Sequence, residues 1–459
     1  MTIKSKLYAE TALIGNQWQK DITLNINSAG YIESIETGRD SQAENVDGIL
    51  IPGMVNCHSH AFQRAFAGFS EYRANPSDSF WSWRDIMYRF VTNMTPNDAY
   101  VVARYLYLEM LKAGYTAVAE FHYLHHQSNG QPYDDIAEMS HQIIGAAEST
   151  GIGLTLLPVL YTYAGFGHQS PRQQQGRFIH QTEQYCTLVE KLSPVIQKNE
   201  TMKLGIAPHS LRAVSQEQLN EVIPYIRKLD PQSPIHIHIA EQQQEVNDCV
   251  AHYGQRPVEW LLNNFNPDQN WCLIHATHLN DEEIRKLSQS EAVAGICPTT
   301  EANLGDGIFP TQQFLAQGGS LSIGSDSHIA VNVADELRTL EYAQRLIKQQ
   351  RSILCDDQQT SVGTYLYRHA AQNGALTINQ NVGEIAVGKR ADFIVLDPNH
   401  PNLYAKPVER ILDAAIFACE KLPIKNVMVS GKWQVRQGHH DDENQIIDDY
   451  LAVLKKLGQ

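Results

Sequence analysis

The chain of 459 residues is long enough for one large α/β domain and a smaller companion. Its 42% hydrophobic and 19% charged content supports a sizeable core and excludes wholesale disorder. A formal net charge of -15 argues against nucleic acid or an anionic membrane as the main partner, yet a few pocket arginines can still reverse the field locally for a small anion.

The seven cysteines (Cys57, Cys186, Cys249, Cys272, Cys297, Cys355, Cys419) are scattered, odd in number and form no CxxC pair. That favours reduced thiols over a disulfide framework. The opening "MTIKSKLYAETALIGNQWQKD" has no apolar signal-peptide core, and no apolar run is long enough to span a bilayer. These features predict a soluble, cytoplasmic protein.

In chain order, residues 6 to 50 read as short strands with turns: "KLYAETALI", "ITLNI", "YIESIETG". From residue 51 apolar strand-like runs alternate with helical stretches. The runs are "ILIPGMVNCHSH", "YTAVAEFHY", "GIGLTLLPVL", "KLGIAPHS", "PIHIHIAE", "WCLIHATH", "AVAGICPTT" and "SLSIGSDSH". Eight strands alternating with helices predict an α/β fold, a closed (β/α)₈ TIM-type barrel over 51–382. A doubly wound sheet is the alternative, but no Gly-rich dinucleotide turn follows an early strand. Strand texture returns in "VGEIAVGKRADFIVLD" and "IKNVMVSGKWQV". Neither terminal segment carries enough strands alone, so 1–50 and 383–440 are expected to join as one small β-sandwich. Residues 441–459 have helical apolar spacing and are expected to dock as a surface helix.

Polar residues crowd the ends of the barrel runs: His58 and His60, His122 and Tyr123, His209 and Arg212, His238 and Glu241, His275 and His278, Asp326 and His328. The carboxyl ends of barrel strands build active sites. A lone strand histidine is usually a hydrogen-bonded core residue, but five histidine-bearing strand ends plus an aspartate make that reading a poor one. His58 and His60, two apart on a strand, face the same side and can share one metal. Strands one and eight adjoin in a closed barrel, which brings Asp326 beside them. With a third histidine from strand five, such a His₃Asp set suits Zn²⁺ and also tolerates Fe²⁺ or Mn²⁺.

The HxH on strand one, the histidines on strands five and six, the aspartate on strand eight and the split terminal sheet closing with "GEIAVGKRADFIVLD" resemble the amidohydrolase superfamily. The resemblance covers essentially the whole chain. "PGMVNCHSHAFQRAFAGF", "NPSDSFWSWRDIMYRF", "MLKAGYTAVAEFHYLHH" and "EANLGDGIFP" are similar to the members that hydrolyse N-formimidoyl-L-glutamate to N-formyl-L-glutamate and ammonia in histidine degradation. In the superfamily's deaminases an HxxE order follows strand five, which selects His238 as ligand and Glu241 as acid/base. His236 then reads as structural, with support of a ligand as the alternative.

The resemblance implies hydrolysis of a C=N bond by a water whose pKa a metal has lowered. Glu241 would move its proton to the leaving nitrogen, His275 would assist, and Asp326 would serve as ligand and proton acceptor. One metal is expected, because "KLGIAPHS" has Lys203 at the wrong end of strand four for a bridging lysine. The family's motifs also imply Gln63, Arg84, Tyr123, His209 and Arg212 as partners of a dicarboxylate substrate, with the arginines on its carboxylates. Arg64, Arg73 and Arg89 are expected to be solvated. The segments "SEYRANPSDSFWSWRD" and "AGFGHQSPRQQQGRF" are candidate lids. Gly305 and Gly307 read as a close approach to ligand or a simple turn. A homodimer is expected by resemblance. Two rivals stand beside this reading: a deaminase of guanine or another aminated heterocycle, kept open by Phe80, Trp81 and Trp83, and a non-catalytic scaffold.

Overall fold

The computed structural model describes residues 3–69, 71, 87–88 and 90–458. Arg73, Arg84, Arg89, Phe80, Trp81, Trp83 and the bulk of the first candidate lid lie outside the described residues.

Four strands open the chain: β1 (Ile3–Ile14), β2 (Gln17–Asn27), β3 (Ile32–Thr37) and β4 (Glu44–Pro52). The barrel strands follow as β5 (Met54–Ser59), β6 (Tyr115–His122), β7 (Gly153–Leu160), β8 (Met202–Leu204) with β9 (Ala207–Pro208), β10 (Ile235–Ile239), β11 (Trp271–His275), β12 (Val293–Ile296) and β13 (Ser320–Ile323). The chain then returns through β14 (Phe393–Leu396), β15 (Ile424–Val429) and β16 (Lys432–Val435).

Strands β5 to β8 form one parallel run and β10 to β13 another. Backbone bridges close both seams: Ser59 with Asp326, and Ile206 with Ile235 followed by Ser210 with His238. Counting β8 and β9 as one broken strand, the ring is a closed eight-stranded barrel. Every residue of β5, β6, β7, β10, β11 and β12 is buried, as strands packed on both faces require. Helix start and stop chemistry sets the spacing of the strands. Helix Pro96–Ala113 opens on a Thr95/Asp98 capping box with proline in its first turn, and Gly114 at φ 98 stops it in front of β6.

The terminal strands form one sheet in the order β16-β15-β14-β4-β1-β2-β3. It folds over itself: Ile32 of β3 and Met428 of β15 share one apolar cluster with Leu7, Leu24, Leu50 and Phe393, as two facing layers of a sandwich do. The run "ILIPGMVNCHSH" divides between the two sheets. β4 reaches Pro52 in the terminal sheet, and Gly53, packed against Thr116, turns the chain into β5. Helix Glu443–Leu457 lies on helix Pro96–Ala113, with Tyr450 stacked on Tyr105 at 3.9 Å and Lys456 bonded to Asp98 at 2.6 Å. No described helix is long and apolar enough to cross a membrane.

Candidate active site

The carboxyl ends of β5, β10, β11 and β13 converge on one buried cluster. His58 and His60 end β5, His238 lies in β10, His275 ends β11, and Asp326 follows β13. Asp326 Oδ1 stands 3.3 Å from the Nε2 atoms of both His58 and His60. His238 Nε2 is 3.0 Å from His58 Nε2. The Asp326 N–H donates to the His58 carbonyl at 3.0 Å, so the closing seam of the barrel itself fixes the aspartate beside the HxH pair.

This donor set fits a divalent cation. His60 Nδ1 donates to the Phe121 carbonyl at 2.9 Å, and His238 Nδ1 donates to the His209 carbonyl at 3.0 Å. In the neutral rings each Nε2 therefore carries a lone pair. One lone pair faces a carboxylate and the other faces an imidazole nitrogen. Burial keeps the rings neutral, pulling His58 down to about 3 and His238 well below its ordinary value. Acceptors aimed at acceptors, away from water, call for a shared cation.

Glu241 and His275 border this cluster. His275 Nε2 lies 3.9 Å from Glu241 Oε1 and 3.8 Å from Asp326 Oδ2. Burial alone would pull His275 down, but Glu241, Glu301 and Asp326 outweigh it and raise the ring to about 10. Burial raises Glu241, against the pull of His275 and Arg212. Four residues here carry left-handed backbones without being glycine: Ala240 (φ 51), His275 (φ 69), Ala276 (φ 46) and Asp326 (φ 43). Such conformations cost energy and cluster at functional sites.

The substrate-facing candidates divide. Gln63 Nε2 donates to Tyr123 Oη at 2.8 Å, and Tyr123 packs on His60 with ring centroids 4.9 Å apart. His209 packs on His238 at 4.8 Å and on Tyr161 at 4.5 Å. The Arg212 guanidinium stands 3.7 Å from Glu241 and 3.6 Å from Glu245. Gln63, Tyr123, His209 and Arg212 line the pocket that holds His60, His238, Glu241, His275 and Asp326. Arg84 lies outside the described residues.

Other strand-end residues serve elsewhere. His236 lies one layer deeper in β10 and donates from Nε2 to the Thr377 carbonyl at 2.7 Å. His122 is directed at His125 rather than into the pocket. His328 accepts the His60 N–H at 3.2 Å from beneath. Arg64, expected to be solvated, instead bonds Glu109 at 2.6 Å and 2.9 Å and the His328 carbonyl at 3.0 Å, because helix Pro96–Ala113 places a carboxylate within reach. Gly305 (φ 70) stops helix Pro298–Leu304, and at Gly307 (φ 137) a Cβ would crowd Thr277 and His278. Lys203 is on β8, away from the site, and His209 occupies the strand-four end.

Several site residues had escaped the sequence reading. Glu301 accepts from His275 Nδ1 at 3.2 Å and from the Cys297 N–H at 2.9 Å, orienting the imidazole. Glu245 packs behind Arg212. Tyr88, Tyr161, Phe178 and Leu304 wall the pocket. Phe178 ends the second candidate lid, which Arg177 fastens by donating to the carbonyls of Met94 at 2.9 Å, His126 at 2.8 Å and Val91. Position was the one signal for Tyr161, which follows β7, and for Glu245, Glu301 and Leu304, which lie in the helices after β10 and β12; Tyr88 and Phe178 carried none.

The Amidohydrolase family profile matches residues 49–434. The chain belongs to the amidohydrolase family. This amidohydrolase is 47% identical over 454 residues to the formimidoylglutamate deiminase of Pseudomonas aeruginosa, covering 99% of each chain. It is 24% identical over 420 residues to a 5-methylthioadenosine/S-adenosylhomocysteine deaminase of Haloarcula marismortui, covering 92% of this chain and 88% of that one. An amidohydrolase from Brucella melitensis of known structure superposes with a TM-score of 0.93 at 42% identity, covering 99% of this chain and 100% of that one. A zinc-bound adenosine deaminase from Xanthomonas campestris, at 19% identity and a TM-score of 0.80 over 99% of each chain, shares the fold. The chain is thus a metal-dependent hydrolase acting on carbon–nitrogen bonds, a hydrolytic deiminase of the amidohydrolase superfamily, which displaces the scaffold reading.

Proposed function

We propose that this deiminase hydrolyses N-formimidoyl-L-glutamate to N-formyl-L-glutamate and ammonia, holding one Zn²⁺ through His58, His60, His238 and Asp326. The observation that carries the substrate is Arg212. Its guanidinium is buried in the pocket beside Glu241 and Glu245, at 3.7 Å and 3.6 Å, within hydrogen-bond distance of neither. A buried guanidinium with an unused donor suits a substrate carboxylate. The full-length likeness to the Pseudomonas aeruginosa enzyme supports the same substrate. Arg84 keeps its reading as the partner of the second carboxylate.

A divalent cation at the cluster supplies Lewis acidity and lowers the pKa of a water towards neutrality; Fe²⁺ suits the same ligands. The chain's own groups do the rest. Glu241 accepts a proton from the attacking water and delivers it to the imine nitrogen. A C–O bond forms at the formimidoyl carbon, the C–N bond to the terminal nitrogen breaks, and ammonia leaves. His275, oriented by Glu301, donates towards the charge that develops at the reacting centre. Asp326 is both ligand and proton acceptor. Gln63 and Tyr123, paired with each other, position the substrate as neutral partners, and His209 adds a ring edge. The aromatic walls Tyr88, Tyr161 and Phe178 would also suit a heterocycle, but a buried arginine at the pocket wall disfavours an uncharged base. The assignment implies a cytoplasmic homodimer working in histidine degradation.

Steady-state kinetics of Arg212→Met test the substrate class. The proposal expects KM for N-formimidoyl-L-glutamate to rise at least about tenfold with the metal retained. An unchanged KM would remove Arg212 from substrate binding.

A further inference from the structure

We infer that Glu245 is a positioning residue, the counter-ion that holds the Arg212 guanidinium off the catalytic carboxylate and ready for a substrate carboxylate. The inference rests on the reading of Arg212 given above and deepens it.

Glu245 opens helix Gln243–Tyr253 one turn after Glu241, and it is 2% exposed. A buried carboxylate needs partners. One oxygen accepts the Ala240 N–H at 3.2 Å, pinning the left-handed turn that lifts Glu241 over the pocket. The other oxygen faces Arg212 Nε at 3.6 Å, and among the described residues neither atom has a hydrogen-bond partner. Arg212 therefore shares its Nε–Nη2 edge between two carboxylates, with Nε 3.6 Å from Glu245 and Nη2 3.7 Å from Glu241, bonded fully to neither.

The geometry has a consequence for binding. A guanidinium clamped by Glu241 would neutralise the group that must take a proton and would spend the donors the substrate needs. A second carboxylate at the same Nε–Nη2 edge competes for the guanidinium and weakens that clamp. Without Glu245 the nearest carboxylate to Arg212 is Glu241, and the low dielectric of the pocket strengthens their attraction. The arginine then closes on the catalytic carboxylate, and an incoming substrate must first break that pair.

The test separates charge from shape. Glu245→Gln keeps the shape and an acceptor for Ala240 but removes the charge. Glu245→Asp keeps the charge and shortens the reach. KM, kcat and metal content are measured for both, alone and in the Arg212→Met background. The expected result is a KM for N-formimidoyl-L-glutamate at least about tenfold higher in Glu245→Gln, with Glu245→Asp nearer to wild type. In Arg212→Met the Gln substitution should leave KM within about twofold, since the residue it acts through is gone. A KM unmoved by Glu245→Gln overturns the inference. So does a better KM for Gln than for Asp, or the same fold-change with and without Arg212, each of which would mark Glu245 as a support for its turn alone. Failure of the functional reading shows separately, as absence of ammonia release by the wild type.

Discussion

Glu336 offers a prediction whose size follows from burial. This residue, 0% exposed in helix Val333–Lys348, accepts from Thr299 Oγ1 at 2.5 Å and from the Thr299 N–H at 2.9 Å. It thereby fixes the start of helix Pro298–Leu304, which carries Glu301 against His275. Burial pushes the Glu336 carboxyl up from an ordinary 4.5 to about 8, over the opposing pull of those hydrogen bonds. The folded chain thus keeps a proton that the unfolded chain has lost between these values. That stabilising share is complete at low pH and disappears as pH rises towards 8. Between pH 5.5 and pH 8.5 linkage sets the loss at about 3 kcal/mol. Glu336→Gln cannot ionise, but it gives up one acceptor at a cost of about 1 kcal/mol. The variant should therefore melt close to the wild type at pH 5.5 and well above it at pH 8.5. With roughly 1 °C per kcal/mol at this chain length, the difference between the two Tm values should swing by about 3 °C. Thermal unfolding of both metal-loaded proteins reads this directly. Glu120, raised to about 7 by burial, titrates in both and cancels in the difference. A Tm difference that is the same at both pH values would refute the argument.

Other substitutions probe the site. Glu241→Gln should keep its metal and lose about 10²–10⁴-fold in kcat, as measured by ammonia release beside elemental analysis; near-normal turnover would remove its acid/base role. His238→Asn should lose the metal, whereas His236→Asn should retain it and lose stability, since His236 serves the Thr377 carbonyl; metal counting on both variants decides, and the reverse pattern would mean the wrong imidazole is the ligand. Glu301→Gln should lower kcat about 10-fold or more with little change in KM, because it orients a ring rather than holding substrate; a KM effect alone would contradict that role.

The site was legible to the extent that its residues share one strand or end successive strands. His58 and His60 announce themselves by a spacing of two, and Asp326 by its place at the last barrel run, because pleat and closure turn those positions into geometry. The groups that missed notice are joined across elements. Nothing in "TTEANL" connects Glu301 to His275, 26 residues away, until β11 and the helix after β12 lie side by side. Arg64 read as solvated for the same reason, its partner Glu109 being set by helix packing 45 positions away. The split of "ILIPGMVNCHSH" was hidden because an apolar run looks alike on either side of a sheet boundary. It takes the pairing of β4 with β14 to reveal that Pro52 ends one sheet. Strand four likewise reads as one run, but it is broken between Leu204 and Ala207, where Gly205 packs against Leu157 and Pro234.

The central claim is tested most directly by the rate of ammonia release from N-formimidoyl-L-glutamate by the purified protein carrying one equivalent of Zn²⁺, with guanine run in parallel. The account predicts rapid release from the dicarboxylate, loss of it on chelation, and no release from guanine. A metal-loaded protein that leaves N-formimidoyl-L-glutamate intact would contradict the account.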